Sequence, residues 1–223
     1  MGAMIPRRLA SRRCAVPPSA RSDLQRHQQM RKCTLRLCCL GVLLAMAFVG
    51  SAWPRDGSAH ELIETAGLIA IVVAVAGRTW CSLYIAGRKR VELVRTGPYS
   101  LCRHPLYSFS VLGACGAGAQ SGSLLLALAA GGASALVLWR TALHEEHYLR
   151  ATFGRAYQRA LGATPRFRPD FSRWRDDELL TCRPRQVFRT MRDGLAFFLA
   201  APALEAIKIA QEAGWLAPVS YLV

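Results

Sequence analysis

The chain has 223 residues, a formal net charge of +15, 52% apolar residues and a mean hydropathy of +0.18. That pairing of high apolar content with high charge excludes an ordinary soluble domain, because apolar blocks alternate with arginine-rich ones as in a multi-span membrane protein. The charges flank the apolar blocks and no RNA-binding motif interleaves them with aromatics, so nucleic acid is not an expected partner.

Residues 1–34 are rich in Arg, Pro, Ser and Gln with Asp23 as their single acid, and are expected to form a disordered basic cytoplasmic arm. The acid-poor start resembles an organelle transit peptide, and Gly50-Ser51-Ala52 resembles a signal-peptidase site. A basic run of this length more often precedes an uncleaved anchor. Four apolar blocks follow: Leu37–Trp53, Leu62–Ala86, Leu106–Ala119 and Leu124–Trp139. The last two are short for a bilayer core that needs ~20 helical residues, and only Gln120-Ser121-Gly122-Ser123 separates them, so they read as a tight helical hairpin. Residues 1–36 hold nine Lys/Arg, 87–104 hold five and 140–193 hold twelve, whereas 54–61 hold only Arg55 and 120–123 hold none. The positive-inside rule then predicts four crossings with both termini cytoplasmic.

Between the second and third blocks, Thr96-Gly97-Pro98-Tyr99 is turn chemistry, and Pro105 suits a helix first turn because its missing N–H costs nothing there. Residues 139–162 are predicted to form one helix leaving the membrane, broken by Pro165 and Pro169. The C-terminal apolar run 194–204 is interrupted by Pro202, Glu205, Lys208 and Glu212, and reads as an interfacial helix or a lid. The predicted fold is therefore all-α: an integral-membrane bundle of about four transmembrane helices over 35–170, with a cytoplasmic or interfacial extension over 171–223. Eight cysteines without a C-x-x-C pair predict neither disulfides nor a metal site.

Two polar knots bracket the hairpin, Arg103-His104 before it and His144-Glu145-Glu146-His147 after it, so both belong on one side of the membrane. Arg103 offers a charged fork suited to a carboxylate, and Glu145 and Glu146 accept from an ammonium or a ribose hydroxyl. Tyr99 and Tyr107 suit a purine face or a sulfonium cation. Taken singly, Arg103 reads as a phosphate anchor at a span end and the glutamates as a solvated helix face. The histidines of the second knot are three apart, against the four of the zincin pattern, so no metal is expected there.

In combination these residues resemble the isoprenylcysteine carboxyl methyltransferase family, integral-membrane enzymes related to the phospholipid methyltransferases. The matching positions are Leu93-Val94, Gly97-Pro98-Tyr99, Arg103-His104-Pro105 with Tyr107, Glu145-Glu146 with Leu149, Phe153-Gly154 with Tyr157, and Pro165-Arg166 with Pro169. The match covers about 90–170, the catalytic core being 88–170. The resemblance implies a helical membrane methyltransferase that uses S-adenosylmethionine. It implies cofactor contacts from the loop residues 91–94, with Leu93 and Val94 among them, and from Tyr99, Arg103, His104, Tyr107, Glu145 and Glu146. Arg103, His104 and Tyr107 are the candidate catalytic residues, and the implied partners are the bilayer and a lipophilic acceptor bearing a carboxylate, thiol or amine. Phe109 stands where the family has glycine, and Thr141, beside Arg140, stands where the prenylcysteine enzymes carry arginine, which leaves the acceptor open. NADPH-dependent sterol-type reductases look similar but carry Asn after the Arg-His-Pro triplet, where this chain has Leu106. A non-catalytic protein of the same fold is the third reading.

Overall fold

In the computed structural model, the described residues are 49–51, 57–88, 93–213 and 220–222. They are almost wholly helical. Strand β1 (Val49–Ser51) is followed by α1 (Ser58–Ile85), a short helix α2 (Pro98–Leu101), α3 (Pro105–Ala119) and α4 (Leu124–Ala163). A 3-10 turn (Phe171–Arg173) leads to α5 (Pro184–Leu195), a second 3-10 turn (Ala196–Leu199), α6 (Ala200–Glu212) and β2 (Ser220–Leu222). β1 and β2 pair in parallel, Val49 against Ser220 and Ser51 against Leu222, a small departure from the all-α expectation.

Two helices among the described residues, rather than four, are long and apolar enough to cross a bilayer: α1, and α4 as far as Arg155. The block at 37–53 lies largely outside the described residues, and α3 has only 15 residues, about 22 Å at ~1.5 Å per residue. It nonetheless occupies the middle of the bundle, packed against α1 on one flank and α4 on the other. Glycine makes this possible. A Cβ at Gly116 would stand 2.6 Å from the Gly67 carbonyl of α1, and one at Gly118 would stand 2.8 Å from the backbone of Ala127 in α4. Small residues thus bring backbones together, as in membrane helix pairs generally.

The hairpin turn forms as expected. Gly122 takes a positive φ of 73° over the His60 ring, and Ser123 Oγ accepts from Leu126 N–H at 3.4 Å as an N-cap of α4. His60 in turn bonds Glu64, and Gln120 donates to the Glu64 carbonyl at 2.9 Å, which fastens the hairpin to the start of α1. Residues 139–162 are helical, as the sequence predicts, but continuous with the fourth block. The one interruption is Gly154, whose φ of 50° and ψ of −125° redirect the chain. Beyond that bend Tyr157 is buried, and residues 164–167 come back to the start of α3.

The C-terminal extension packs on the bundle. Arg183 N–H donates to the Ala86 carbonyl at 3.1 Å, α5 lies along α1, and the following 3-10 turn and α6 meet α3. Gly113 is closed by the Phe197 ring, 2.7 Å from where its Cβ would be.

Candidate functional site

The site is built at the end of the bundle opposite the hairpin. Pro98 and Pro105 start their helices at positions where no N–H is needed. Between them Cys102, Arg103 and His104 run in non-helical conformation. Gly97, at φ 57°, makes the preceding turn directly against the Tyr84 ring, where a side chain would overlap it. Residues 101–104 are then pinned by the returning chain. Arg103 N–H donates to Pro165 O at 2.9 Å, His104 N–H to Arg166 O at 3.2 Å, and Asp170 N–H to Leu101 O at 3.1 Å. Arg103 Nε adds a bond to Thr164 O at 2.7 Å. The strap continues: Gly97 N–H donates to Arg175 O at 2.7 Å, Thr96 to Asp177, and Tyr84 to Asp176 at 2.9 Å, while Trp174 stacks on Trp80.

Glu146 is the hub. Its side chain is 2% exposed, and Arg166 grips it with both ends of its fork, Nε to Oε1 at 2.8 Å and Nη2 to Oε2 at 3.0 Å. Arg103 Nη1 approaches Oε1 at 3.4 Å, His104 Nε2 the same oxygen at 3.3 Å, and Arg150 Nη2 reaches Oε2 at 3.7 Å. Three guanidiniums around one carboxylate leave the cluster net positive. Such a carboxylate is costly to bury unless paired and hydrogen-bonded, and here both oxygens are satisfied. The hydrogen bond and charge of Glu146 push the Arg166 guanidinium further up from its ordinary value. Burial, helped by the Glu146 charge, pushes the Tyr157 hydroxyl up to about 12.

An aromatic stack supports the hub. The rings of His104 and Tyr107 are parallel at 5.4 Å, Phe167 tilts onto His104 at 5.6 Å, and Trp139 stacks on Phe167 at 5.3 Å. Arg166 lies over the Trp139 ring at 5.4 Å. Tyr107, Leu138 and Ala142 form the buried cluster below.

The structure therefore brings Arg103, His104, Tyr107 and Glu146 together. Glu145 is half-buried; burial first, then the Cys81 and Glu145 charges, raise the Tyr99 hydroxyl well above its ordinary value. Cys102, beside the cluster, is held as a thiol, with burial pushing it up to about 11. Leu93 and Val94 are half-buried in the irregular segment leading to the Gly97 turn, and residues 91 and 92 lie outside the described residues. His144 and His147 are exposed. Among the described residues no group of three or more His, Cys, Asp or Glu converges to hold a metal ion. Sequence reasoning missed Arg166, Phe167 and Trp139. The Pro165-Arg166-x-x-Pro169 pattern was the signal, but nothing in it says that Arg166 reaches Glu146.

The Phe109 ring lies directly over Gly77 of α1, where a Cβ would overlap it. The bulk that replaces a family glycine thus fills the α1–α3 contact.

A profile of the phospholipid methyltransferase family matches residues 65–156, from within α1 to just past the Gly154 bend. The nickel-cobalt-cadmium resistance protein NccN of Alcaligenes xylosoxydans xylosoxydans is 34% identical over 202 residues, 91% of this chain and 92% of the relative. The chain belongs to the phospholipid methyltransferase family. The cobalt-zinc-cadmium resistance protein CzcN of Cupriavidus metallidurans is 35% identical over 179 residues, 80% of this chain and 82% of its own. No solved structure matches. The family profile covers Arg103, His104, Tyr107, Glu145 and Glu146 and stops short of the strap with Arg166.

Proposed function

We propose that this chain is an S-adenosylmethionine-dependent methyltransferase that acts on a lipophilic acceptor at the cytoplasmic face of the membrane. Family membership supports methyl transfer, and one observation carries the finer reading: the positive cluster of Arg103, Arg150 and Arg166 around the single buried carboxylate of Glu146. That donor set fits the carboxylate of an amino-acid ligand. Glu146 is already taken by Arg166 and His104, so it would hold Arg103 in place and not bind the ligand itself. Glu145, beside Tyr99, would accept from the ligand's ammonium or ribose hydroxyl.

When bound, S-adenosylmethionine supplies an electrophilic methyl group, whose bond to sulfur breaks as a bond to the acceptor forms, leaving a neutral thioether. The protein's part is positioning and exclusion of water. The strap 164–177 would close the polar end, and the His104–Tyr107–Phe167 stack would wall the apolar side. A carboxylate or thiolate acceptor loses charge as it reacts and needs no base. An amine acceptor would have to release a proton, and His104, 3.3 Å from Glu146, is the group set to take it.

The relatives' names favour a second, compatible reading: a contribution to transition-metal tolerance, exerted through a methylated membrane component. Calorimetry in detergent separates these readings from a reductase. S-adenosylmethionine should bind, NADPH should not, and Arg103→Ala and Glu145→Gln should each weaken binding at least tenfold, given the ~2–5 kcal/mol typical of a lost buried charge partner. Unchanged affinity in both variants, or binding of NADPH alone, would overturn the assignment.

A further inference from the structure

We propose that the segment from Pro184 to Glu212 crosses the bilayer as an additional leg and carries the C-terminal end to the face opposite the Arg103–Glu146 cluster. The inference rests on the chain being a membrane protein and not on its chemistry. Its partner is the acyl chains of the bilayer.

Contacts along the segment mark its depth. It starts at the site end of α1, where Arg183 N–H bonds Ala86 O and Gln186 Oε1 accepts from Gly87 N–H at 2.9 Å. Gly194 then lies against Val75 and Arg78, about two to three turns further into α1. Phe197 fills the space over Gly113 of α3 and covers the Arg78 guanidinium at 5.8 Å. Leu204 is buried against Leu126, three residues past the hairpin turn at the other end of the bundle. Beyond it, β2 pairs with β1, which precedes the start of α1 at that same end. Twelve residues of α5, four of the 3-10 turn and thirteen of α6 would measure about 44 Å end to end at ~1.5 Å per residue, enough for a ~30 Å hydrocarbon core.

Charge and exposure agree. Arg185, Arg189, Arg192 and Asp193 are exposed in the first three turns, toward the headgroups of the site end, and from residue 194 onward the charged residues are Glu205, which is exposed, Lys208 and Glu212. Phe188, Leu195, Leu199 and Ile209 are exposed, the last two at 67% and 58%. Leu68, Ile69 and Val72 of α1 and Leu128 and Leu136 of α4 are exposed as well, as apolar side chains that face lipid would be. Gly194, Phe197 and Leu204 face protein, while Leu195, Leu199 and Ile209 are exposed, with Pro202 and Glu205 also on the exposed side.

The test is sidedness in sealed vesicles of both orientations. In a background with all cysteines replaced by serine, Thr181→Cys and Ala213→Cys are labelled with a membrane-impermeant maleimide. Separately, an epitope tag after Val223 of the otherwise unaltered chain is exposed to protease, so the result does not depend on the cysteine-free protein inserting. Residue 213 and the tag should be reached only from the face opposite residue 181. Reaction of residue 213, or loss of the tag, from the same face as residue 181 would overturn the crossing and leave a surface helix. S-adenosylmethionine binding is measured on the same protein, so a wrong topology and a wrong cofactor give separate failures.

Discussion

At the scale of single residues, Glu146 concentrates more of the site's electrostatics than any other group. It is nearly inaccessible to water, and four basic side chains point at its two oxygens. Glu146→Gln keeps the shape but removes the charge, leaving Arg103 and Arg166 beside each other without a counter-ion. Breaking a buried pair from one side typically costs about 3–5 kcal/mol. The variant should therefore melt well below the wild type in detergent. Arg166→Lys should recover little of a loss caused by Arg166→Ala, because an ammonium cannot reproduce the two-pronged contact at 2.8 and 3.0 Å. A Glu146→Gln protein with an unchanged melting temperature would show that Glu146 is not the organising charge.

Among the helices, the packing of α1 on α3 rests on matched sizes. Gly67 and Gly116 let the backbones meet near the hairpin end, while the Phe109 ring fills the space over Gly77 nearer the site. Gly77→Ala forces a methyl group into that ring, and overpacking of this kind costs typically about 1–3 kcal/mol. Phe109→Leu in the same protein should recover part of the loss, with a coupling of about 0.5–3 kcal/mol in a double-mutant cycle of melting stabilities. Purely additive effects would mean that the two residues do not share the contact. By the same geometry, Gly113, Gly116 and Gly118 are closed by Phe197, α1 and α4 respectively, so their smallness serves helix contact.

For the whole molecule, the directions of α1, α3 and α4 put every motif residue at one end and the 120–123 turn at the other. From Leu124 to Glu146 along α4 is about 33 Å at ~1.5 Å per residue, close to the thickness of a bilayer core. Arg95→Cys and Arg175→Cys, both at exposed positions on the site end, should label from the cytoplasmic side only, and Gly57→Cys from the opposite side only. Labelling of residues 57 and 95 from one face would contradict both the span assignment of α1 and the placement of the site.

What the sequence determined by itself is local or periodic in origin. The apolar blocks, the hairpin at Gln120–Ser123, the breaks at Pro98 and Pro105, and the shared side of Arg103-His104 and Glu145-Glu146 follow from hydropathy, turn chemistry and charge asymmetry, all of which are written into neighbouring residues. The family could be read from motif order for the same reason. The tertiary structure decided what depends on contacts between distant positions. Arg166 lies 20 residues from Glu146, and Arg103 lies 43 away. They meet because Gly154 bends the chain through a backbone conformation that only glycine takes at little cost, and the strap returns across the start of α3. No periodicity announces that Glu146 is the glutamate buried among arginines, since Glu145 beside it is alike in charge, and only the direction of each side chain on α4 separates them. The C-terminal segment was legible only as an interrupted apolar run, because hydropathy along a sequence cannot tell that Gly194, Phe197 and Leu204 meet protein while Pro202 and Glu205 stay exposed.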